Sequence, residues 1–474
     1  MRQNLRRKRA QSCIIPLKNL PCPAEEVISH FQHDEAYALL DSCGKGRFSI
    51  LGFSPFSIVE IKDGKGFLTI QNQKRELKDP LTDFSQYYHS FSHRKLPFPF
   101  AGGGIGYFSY DLNRYFERLP EQATDDLHMP DLYFAFYDLF LVYDLLSEQT
   151  SLVYTGDSPR SESDIENVME RIFQTPIHND ENINTSDITL VSHFSRDTYI
   201  QAVSRIKEYI KEGEIYQANL SQRFWGACPV APWTLYKKFR QQQPAEFSAY
   251  LKCGVFHIMS HSPERFIQVD SEGRILTQPI KGTCARSSGE DDEKRKQNLQ
   301  SSEKDQAELL MIVDLERNDL GRICEIGSVE TTELFGLKSL PHVHHLQATI
   351  QGNLKEGTNI LDILRATFQG GSITGAPKIR AMEILEQIEP CRRGIYTGSI
   401  GYLSFSGELD LSIAIRTAIY HDKTLYFQVG GGIVWDSDPE AEYLETLQKG
   451  KFFMETLTQS NPKTSWATNY SMSL

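Results

Sequence analysis

Cysteine is sparse: there are 8 in 474 residues, at positions 13, 22, 43, 228, 253, 284, 324 and 391. No C-x-x-C pair occurs, which argues against a zinc ribbon or a thioredoxin-type redox site. At this density buried, reduced thiols are expected, and a cytoplasmic location fits them. No apolar run reaches the ~18 residues that a membrane-spanning helix needs, so no membrane contact is expected. Net positive charge is also missing. Lys and Arg number 50 against 62 Asp and Glu, a net charge of −12. The overall footprint of a nucleic-acid binder is therefore absent, although a locally basic pocket for a small anion is compatible with the balance. No repeat of ~20–50 residues is visible, which argues against a solenoid or propeller.

What is present is ordinary for a globular protein: 40% hydrophobic and 24% charged residues. The length is ample for a core without disulfide or metal staples. Arg2, Arg6, Arg7, Lys8 and Arg9 begin the chain, but the apolar stretch after them stops at Pro16, too early for a secretory signal. Residues 1–12 therefore read as a disordered basic tail. Residues 13–173, rich in short β-like runs and turns, read as an N-terminal domain. A polar, turn-rich linker is expected at 174–190, a second domain at 191–458 and a tail at 459–474. Ser195 opens a helix with its stripe at Tyr199, Val203, Ile206 and Ile210, and Gly213 closes it. Further helices are expected at 303–316, 359–369, 377–389 and 439–456. Strands are expected at 247–260, 264–270, 398–405, 410–420 and 424–429. Hairpins mixed with helices make the fold class α+β. Gly102-Gly103-Gly104-Ile105-Gly106 does not match G-x-G-x-x-G and reads as tight backbone packing rather than a phosphate loop.

Several segments carry chemistry. Ser302 is a plausible N-cap, with Asp305 and Glu308 on one face of the following helix. A second acidic helix begins at Pro439, where Glu442, Glu445 and Lys449 share a face while Leu444 and Leu447 are expected in the core. Carboxylates from two helices, with waters and an anionic ligand, suit Mg2+. Solvated helix faces would give the same pattern. Thr374-Gly375-Ala376-Pro377-Lys378, with proline at the first helical position, leaves backbone N–H groups open to an anion. Gly430-Gly431-Gly432 after a strand permits close approach of a ligand to the backbone. His342, His344 and His345 are dense in imidazole, but no Cys or further His at suitable spacing supports zinc. Lys281, between Ile280 and Gly282, sits where partial desolvation would turn an amine into a nucleophile. Most lysines are exposed and inert, so the residue alone leaves both readings open.

Taken together and in this order, the segments resemble the chorismate-utilising enzymes: anthranilate synthase component I, aminodeoxychorismate synthase component I, and the isochorismate and salicylate synthases. The matching motifs are residues 213–221, Ser262-Pro263-Glu264, 279–283, 302–322, 371–378, Ile415-Arg416, 430–433 and 442–449. In the N-terminal part, 39–55 and 102–111 match as well. The resemblance implies two interleaved α/β subdomains around an antiparallel β-sandwich, with helices outside. It implies Mg2+ on Glu308 and Glu445, with Glu442 close by, holding the ring carboxylate of chorismate. Lys449 and the Gly375-Ala376 backbone would complete that clamp. Arg416 and the glycines Gly431 and Gly432 would take the enolpyruvyl carboxylate. Glu264 would be the general acid at the C4 hydroxyl, and His345 and Thr283 would lie near the ring.

Two positions distinguish family members. Isochorismate and salicylate synthases carry a water-activating lysine where this chain has Gln217, which cannot serve as that base. Anthranilate synthases usually carry alanine where this chain has Lys281; a lysine there marks the aminodeoxychorismate synthases. The resemblance thus implies amination of chorismate at C4 through a covalent Lys281 adduct, towards 4-aminobenzoate and folate. Anthranilate synthesis is the alternative. No Gly-x-Cys-x-Gly elbow of a glutamine amidotransferase is present, so ammonia would come from a separate amidotransferase subunit. The tryptophan-feedback segment of the anthranilate synthases, of Asn-Pro-Ser-Pro-Tyr-Met type, is replaced by Gln243-Pro244-Ala245-Glu246-Phe247-Ser248. Tryptophan feedback is not expected from that segment, while Asp41 and Ser42 mark a candidate effector pocket.

Overall fold

The computed structural model describes residues 13–91, 95–158, 160, 162–174, 188–340 and 343–457. The expected tails at 1–12 and 459–474, most of the linker, and His342 lie outside the described residues. Two twelve-stranded antiparallel sheets dominate. Each draws on both halves of the chain. In the first, Ala36–Asp41 pairs with Phe247–Cys253. In the second, Gly103–Phe108 pairs with Ser399–Ser404. The segments 13–173 and 191–457 thus share both sheets.

Alternation along the strands builds the layers. In Ala36–Asp41, Ala38 faces inward with Ile105, Tyr133, Tyr137, Ile258 and Ile400, residues of both sheets packed face to face. Tyr37 and Leu39 point the other way, into a core closed by Trp233, Phe239 and Phe453 from the Pro232–Gln242 and Pro439–Leu457 helices. On the outer face of the second sheet, Phe134, Phe266 and Leu346 pack under Leu309, Val313 and Leu320 of the Glu303–Ile323 helix. A fourth core joins the Arg196–Lys211 and Lys378–Ile388 helices to Ala218 and Leu220. The result is the expected α+β sandwich with helices outside. The glycine-dense segment at 102–106 feeds a strand, as the packing reading requires. A Cβ on Gly106 would stand 1.9 Å from the Tyr133 carbonyl oxygen.

Two expected strands are each a pair. The 247–260 run is a hairpin, Phe247–Cys253 and Phe256–Ser262, turning through Gly254 at φ 60°. The 410–420 run divides into Leu409–Ile413 in one sheet and Thr417–His421 in the other. The crossover has no Gly or Pro to mark it. Arg416 itself makes the turn, at φ 49°. The Ser262-Pro263-Glu264 segment is a second crossover, leaving Phe256–Ser262 in one sheet for Arg265–Val269 in the other.

Candidate active site

Glu264 and Arg416 both lie at these sheet crossovers, where the chain is free to aim side chains sideways instead of up or down. Glu264 is only 4% exposed. Its Oε1 accepts from the Ser372 hydroxyl at 2.8 Å and from the Ile280 N–H at 3.3 Å. Burial holds its carboxyl above the usual range, so the acid form is favoured.

Lys281 follows from the neighbouring residue. Ile280–Ala285 is an edge strand against Val343–Asn353, with a bulge between Lys281 and Thr283. Gly282 makes the bulge at φ 70°, and a Cβ there would stand 2.9 Å from Asp305 in the first turn of the Glu303–Ile323 helix. The bulge aims the Lys281 ammonium inward, where it donates to the Ser372 carbonyl at 3.0 Å. Burial lowers its pKa, against the pull of Glu308 and Glu264, and favours the free amine. Ser372 therefore touches both groups: its hydroxyl serves Glu264 and its carbonyl serves Lys281. Sequence reading gave Ser372 no role of its own, since only its place in the 371–378 motif singled it out.

A wall of backbone faces these groups. Gly430, Gly431 and Gly432 lie within the Thr424–Ile433 strand, opposite Ser221, Leu220 and Asn219. The glycines are needed because side chains lie on the backbone. A Cβ on Gly431 would stand 3.1 Å from Glu442 Oε2, 3.7 Å from Glu445 Oε1 and 3.8 Å from Lys449 Nζ. A Cβ on Gly432 would stand 2.5 Å from Gln217 Nε2. Glu442 accepts from the Ser437 hydroxyl at 2.6 Å, and burial raises its pKa. Glu445 pairs with Lys449 at 2.7 Å; burial opposes its ionisation, but Lys449 still holds it below the usual carboxylate range. Lys449 also donates to the Gly430 carbonyl at 2.9 Å. Glu308 is half-buried, its nearest cation being Lys304 at 4.0 Å. It is also the leading counter-charge at Lys281. No group of three His, Cys, Asp or Glu among the described residues is spaced to hold a metal ion. Yet Glu442 and Glu445 present hard oxygens to one small space beside Gly431. That donor set fits Mg2+, which takes a few carboxylates and keeps its remaining positions for water and ligand.

Three polar groups at the site lack a complement. Gln217 is 1% exposed, and neither its Oε1 nor its Nε2 has a hydrogen-bond partner among the described residues. His345 is 3% exposed; its Nδ1 meets the Thr283 hydroxyl at 2.8 Å, while its Nε2 has no partner among the described residues. Burial and then the nearby Arg416 push its pKa down to about 3, so the ring is neutral. Arg416, on which burial also acts, has no carboxylate within ion-pairing distance among the described residues; Gln243 Oε1 accepts from it at 3.3 Å. Unmatched buried polar groups are costly, and a ligand that satisfies them recovers the cost.

Some expectations change. Pro377 is the N-cap rather than the first helical residue, and Gly375-Ala376 is a short strand paired with Gln217-Ala218. Two N–H groups donate into this segment's carbonyls, from Tyr216 to Ala376 and from Asn219 to Thr374. The acidic helix does start at Pro439, with Asp438 accepting from the Ala441 N–H at 2.9 Å. Its inward face is Glu442, Thr446, Gly450 and Phe453, which turns Leu444 outward to 54% exposure; Leu447 packs at the core edge. His344 is structural: fully buried, it is held between Ser339 at 2.8 Å and Asp292 at 3.0 Å. Asp41 and Ser42 line a cavity of about 570 Å3 together with Arg240, and neither Lys281 nor Glu264 lines it. There Asp41 accepts from Arg240 at 2.5 Å and from Tyr236 at 3.2 Å.

The arrangement pairs a desolvated amine with a desolvated acid, across from carboxylates and anion-ready cations. A family model described as chorismate binding enzyme matches residues 35–455. Aminodeoxychorismate synthase component 1 of Bacillus subtilis is 37% identical over 463 residues, covering 94% of this chain and 98% of that protein. Anthranilate synthase component 1 of Thermus thermophilus is 36% identical over 448 residues, covering 93% and 96%. The crystal structure of anthranilate synthase component I from Streptococcus pneumoniae superposes with a TM-score of 0.79 at 33% identity, covering 87% of this chain and 92% of that one. The chain belongs to the chorismate-binding enzyme family.

Proposed function

We propose that this enzyme aminates chorismate at C4, as an aminodeoxychorismate synthase component I. One observation carries the reading: Lys281, an amine with lowered pKa, shares Ser372 with Glu264, an acid with raised pKa. Shifts in opposite directions suit a nucleophile and a general acid working in one step. The Lys281 nitrogen bonds to C2 while both conjugated ring double bonds shift, C1=C2 to C6=C1 and C5=C6 to C4=C5, the C4–oxygen bond breaks and Glu264 gives its proton to the departing hydroxyl. Water leaves. Ammonia then bonds to C4, both double bonds shift back and the C2–nitrogen bond to Lys281 breaks. The excess proton on the new amine returns to Glu264. Chorismate and ammonia thus give 4-amino-4-deoxychorismate and water, with the enolpyruvyl group retained.

The remaining residues bind. Arg416 and the Gly431-Gly432 backbone take the enolpyruvyl carboxylate. Lys449 and the Gly375-Ala376 segment take the ring carboxylate. His345 and Thr283 border the ring, and Gln217 offers its amide. Glu308 and Glu445, with Glu442 beside them, would hold Mg2+, which supplies positive charge to the ring carboxylate when bound. A separate glutamine amidotransferase subunit supplies ammonia, in keeping with the component 1 names of the relatives. The cytoplasm is the proposed location; no helix among the described residues is long and apolar enough to cross a membrane.

The test is a product assay with purified protein, chorismate, Mg2+ and ammonium at alkaline pH. An aminated product that retains the enolpyruvyl group is expected. Fluorescent anthranilate with released pyruvate would overturn the reading in favour of tryptophan supply.

A further inference from the structure

We propose that Gln243 is a positioning residue that holds the Arg416 guanidinium open for the substrate's carboxylate. The proposal rests on the functional reading above and adds a residue to it. Gln243 belongs to the segment where this sequence departs from the anthranilate synthase pattern, and that departure is so far unexplained.

The geometry has three parts. Arg416 turns the chain between the two sheets, and its carbonyl accepts from the His261 N–H at 3.0 Å. Its backbone is thereby fixed, but its side chain needs a guide. Gln243 is the first residue beyond the Pro232–Gln242 helix, and its own N–H donates to Phe239 at 2.8 Å. That helix end is anchored on both sides. Arg240 binds Asp41 at 2.5 Å and Glu25 at 3.0 Å, and Gln242 accepts from Thr456 of the Pro439–Leu457 helix at 2.5 Å. The third part is the contact itself, Arg416 Nη1 donating to Gln243 Oε1 at 3.3 Å.

The chemistry of the partner matters. An amide oxygen is neutral. It orients one edge of a guanidinium, leaves its other donors available and leaves its charge unspent. A carboxylate at the same place would form an ion pair and compete with the substrate's anion. The same segment reaches the site a second time. Glu246 accepts from Lys338 at 2.8 Å, and Lys338 is the register partner of His345. One segment, residues 243–246, therefore backs both Arg416 and the strand that carries His345.

The experiment compares steady-state kinetics and chorismate titration for the wild type, Gln243→Glu, Gln243→Ala, Arg416→Ala and the Gln243→Glu/Arg416→Ala double variant, with thermal melting of each. Gln243→Glu should raise the chorismate KM ~10-fold or more while kcat stays within ~3-fold, as expected for lost ground-state binding. Gln243→Ala should raise KM less, by ~3-fold, because the charge of Arg416 survives. In the Arg416→Ala background Gln243→Glu should add almost nothing, which a merely structural role would not produce. An unchanged KM in Gln243→Glu, or fully additive effects in the double variant, overturns the proposal and leaves the functional reading intact. If Gln243→Glu does not fold, an unchanged KM in Gln243→Ala overturns it equally. A wild type that binds no chorismate overturns both.

Discussion

Two arginines, the buried Arg393 and the half-buried Arg416, show opposite solutions to one physical problem. Arg393 is completely satisfied. It forms a two-pronged pair with Glu389, both contacts at 2.8 Å, donates to the Ile373 carbonyl at 3.1 Å and to Thr397 at 3.3 Å, reaches the Asn219 carbonyl at 2.5 Å, and lies over the Tyr110 ring at 4.6 Å. Burial opposes its charge, but Glu389 holds its pKa above the ordinary value. Among the described residues Arg416 has one side-chain partner, a neutral amide, and burial lowers its pKa. A closed network is structure. Here it binds the turn at Gly371–Ile373 from behind, the same turn that presents Ser372 to Lys281 and Glu264. An open network is, in the proposed function, the binding surface for an anion. Removing a member of the first should cost stability, and removing a member of the second should cost activity.

Lys281→Ala tests the open side hardest. It should lower aminodeoxychorismate formation ~10³-fold or more, as loss of a covalent nucleophile does. Melting should stay near wild type, and anthranilate is the product to look for in its place. Undiminished C4 amination by a folded variant would remove the covalent step from the mechanism.

On the closed side, Arg393→Met leaves Glu389 as an uncompensated buried charge and should destabilise the fold by ~3–5 kcal/mol. Adding Glu389→Leu should recover much of this, because the pair's own desolvation cost disappears with it. Denaturant melts of the single and double variants read the difference. A double variant no more stable than the single would show that the hydrogen bonds to Asn219 and Ile373, not the charge pair, hold the turn.

Arg416→Ala should raise the chorismate KM ~10–100-fold, the range expected for a charge-assisted hydrogen bond to an anion, with little change in melting temperature. A large loss of stability with unchanged KM would move Arg416 to the closed class and break the comparison.

The smallest effect concerns Glu316, buried behind Glu264 with one hydroxyl donor, Thr277, at 3.0 Å. Burial pushes its pKa up from 4.5 to about 8. A carboxyl raised in the fold binds more protons there than in the unfolded chain. Its relative contribution is therefore fully present below about pH 4.5 and is lost as pH rises through about 8. Glu316→Gln should melt a few degrees higher than wild type at pH 8.5 and show little gain at pH 5. Equal gains at both would mean that Glu316 ionises normally.

The site was legible in parts. Glu308 and the Glu442–Lys449 face stood out because their carboxylates share a helix face, whereas Glu264 and the role of Lys281 were read only from the family resemblance of their motifs. The helix starts at Ser195, Ser302 and Pro439 could be read because capping is local. The sheet crossover at 414–416 was hidden inside an apolar run, where a non-glycine residue takes the left-handed conformation. Leu444 was misplaced because the buried stripe of its helix contains Glu442, Thr446 and Gly450, which no hydrophobic pattern reveals. Ser372, Gln243 and Arg393 are common residue types whose importance lies in what they touch.

The sequence by itself determined the family, the α+β class and the residue types available for C4 amination, because those depend on composition and short-range order. Tertiary structure alone decided which buried polar groups are paired and which are left open. Pairing is set by contacts between residues distant in the chain. Asn219 reaches Arg393, Ser372 reaches Glu264 and Gln243 reaches Arg416 only after two sheets have been woven from both halves of the molecule.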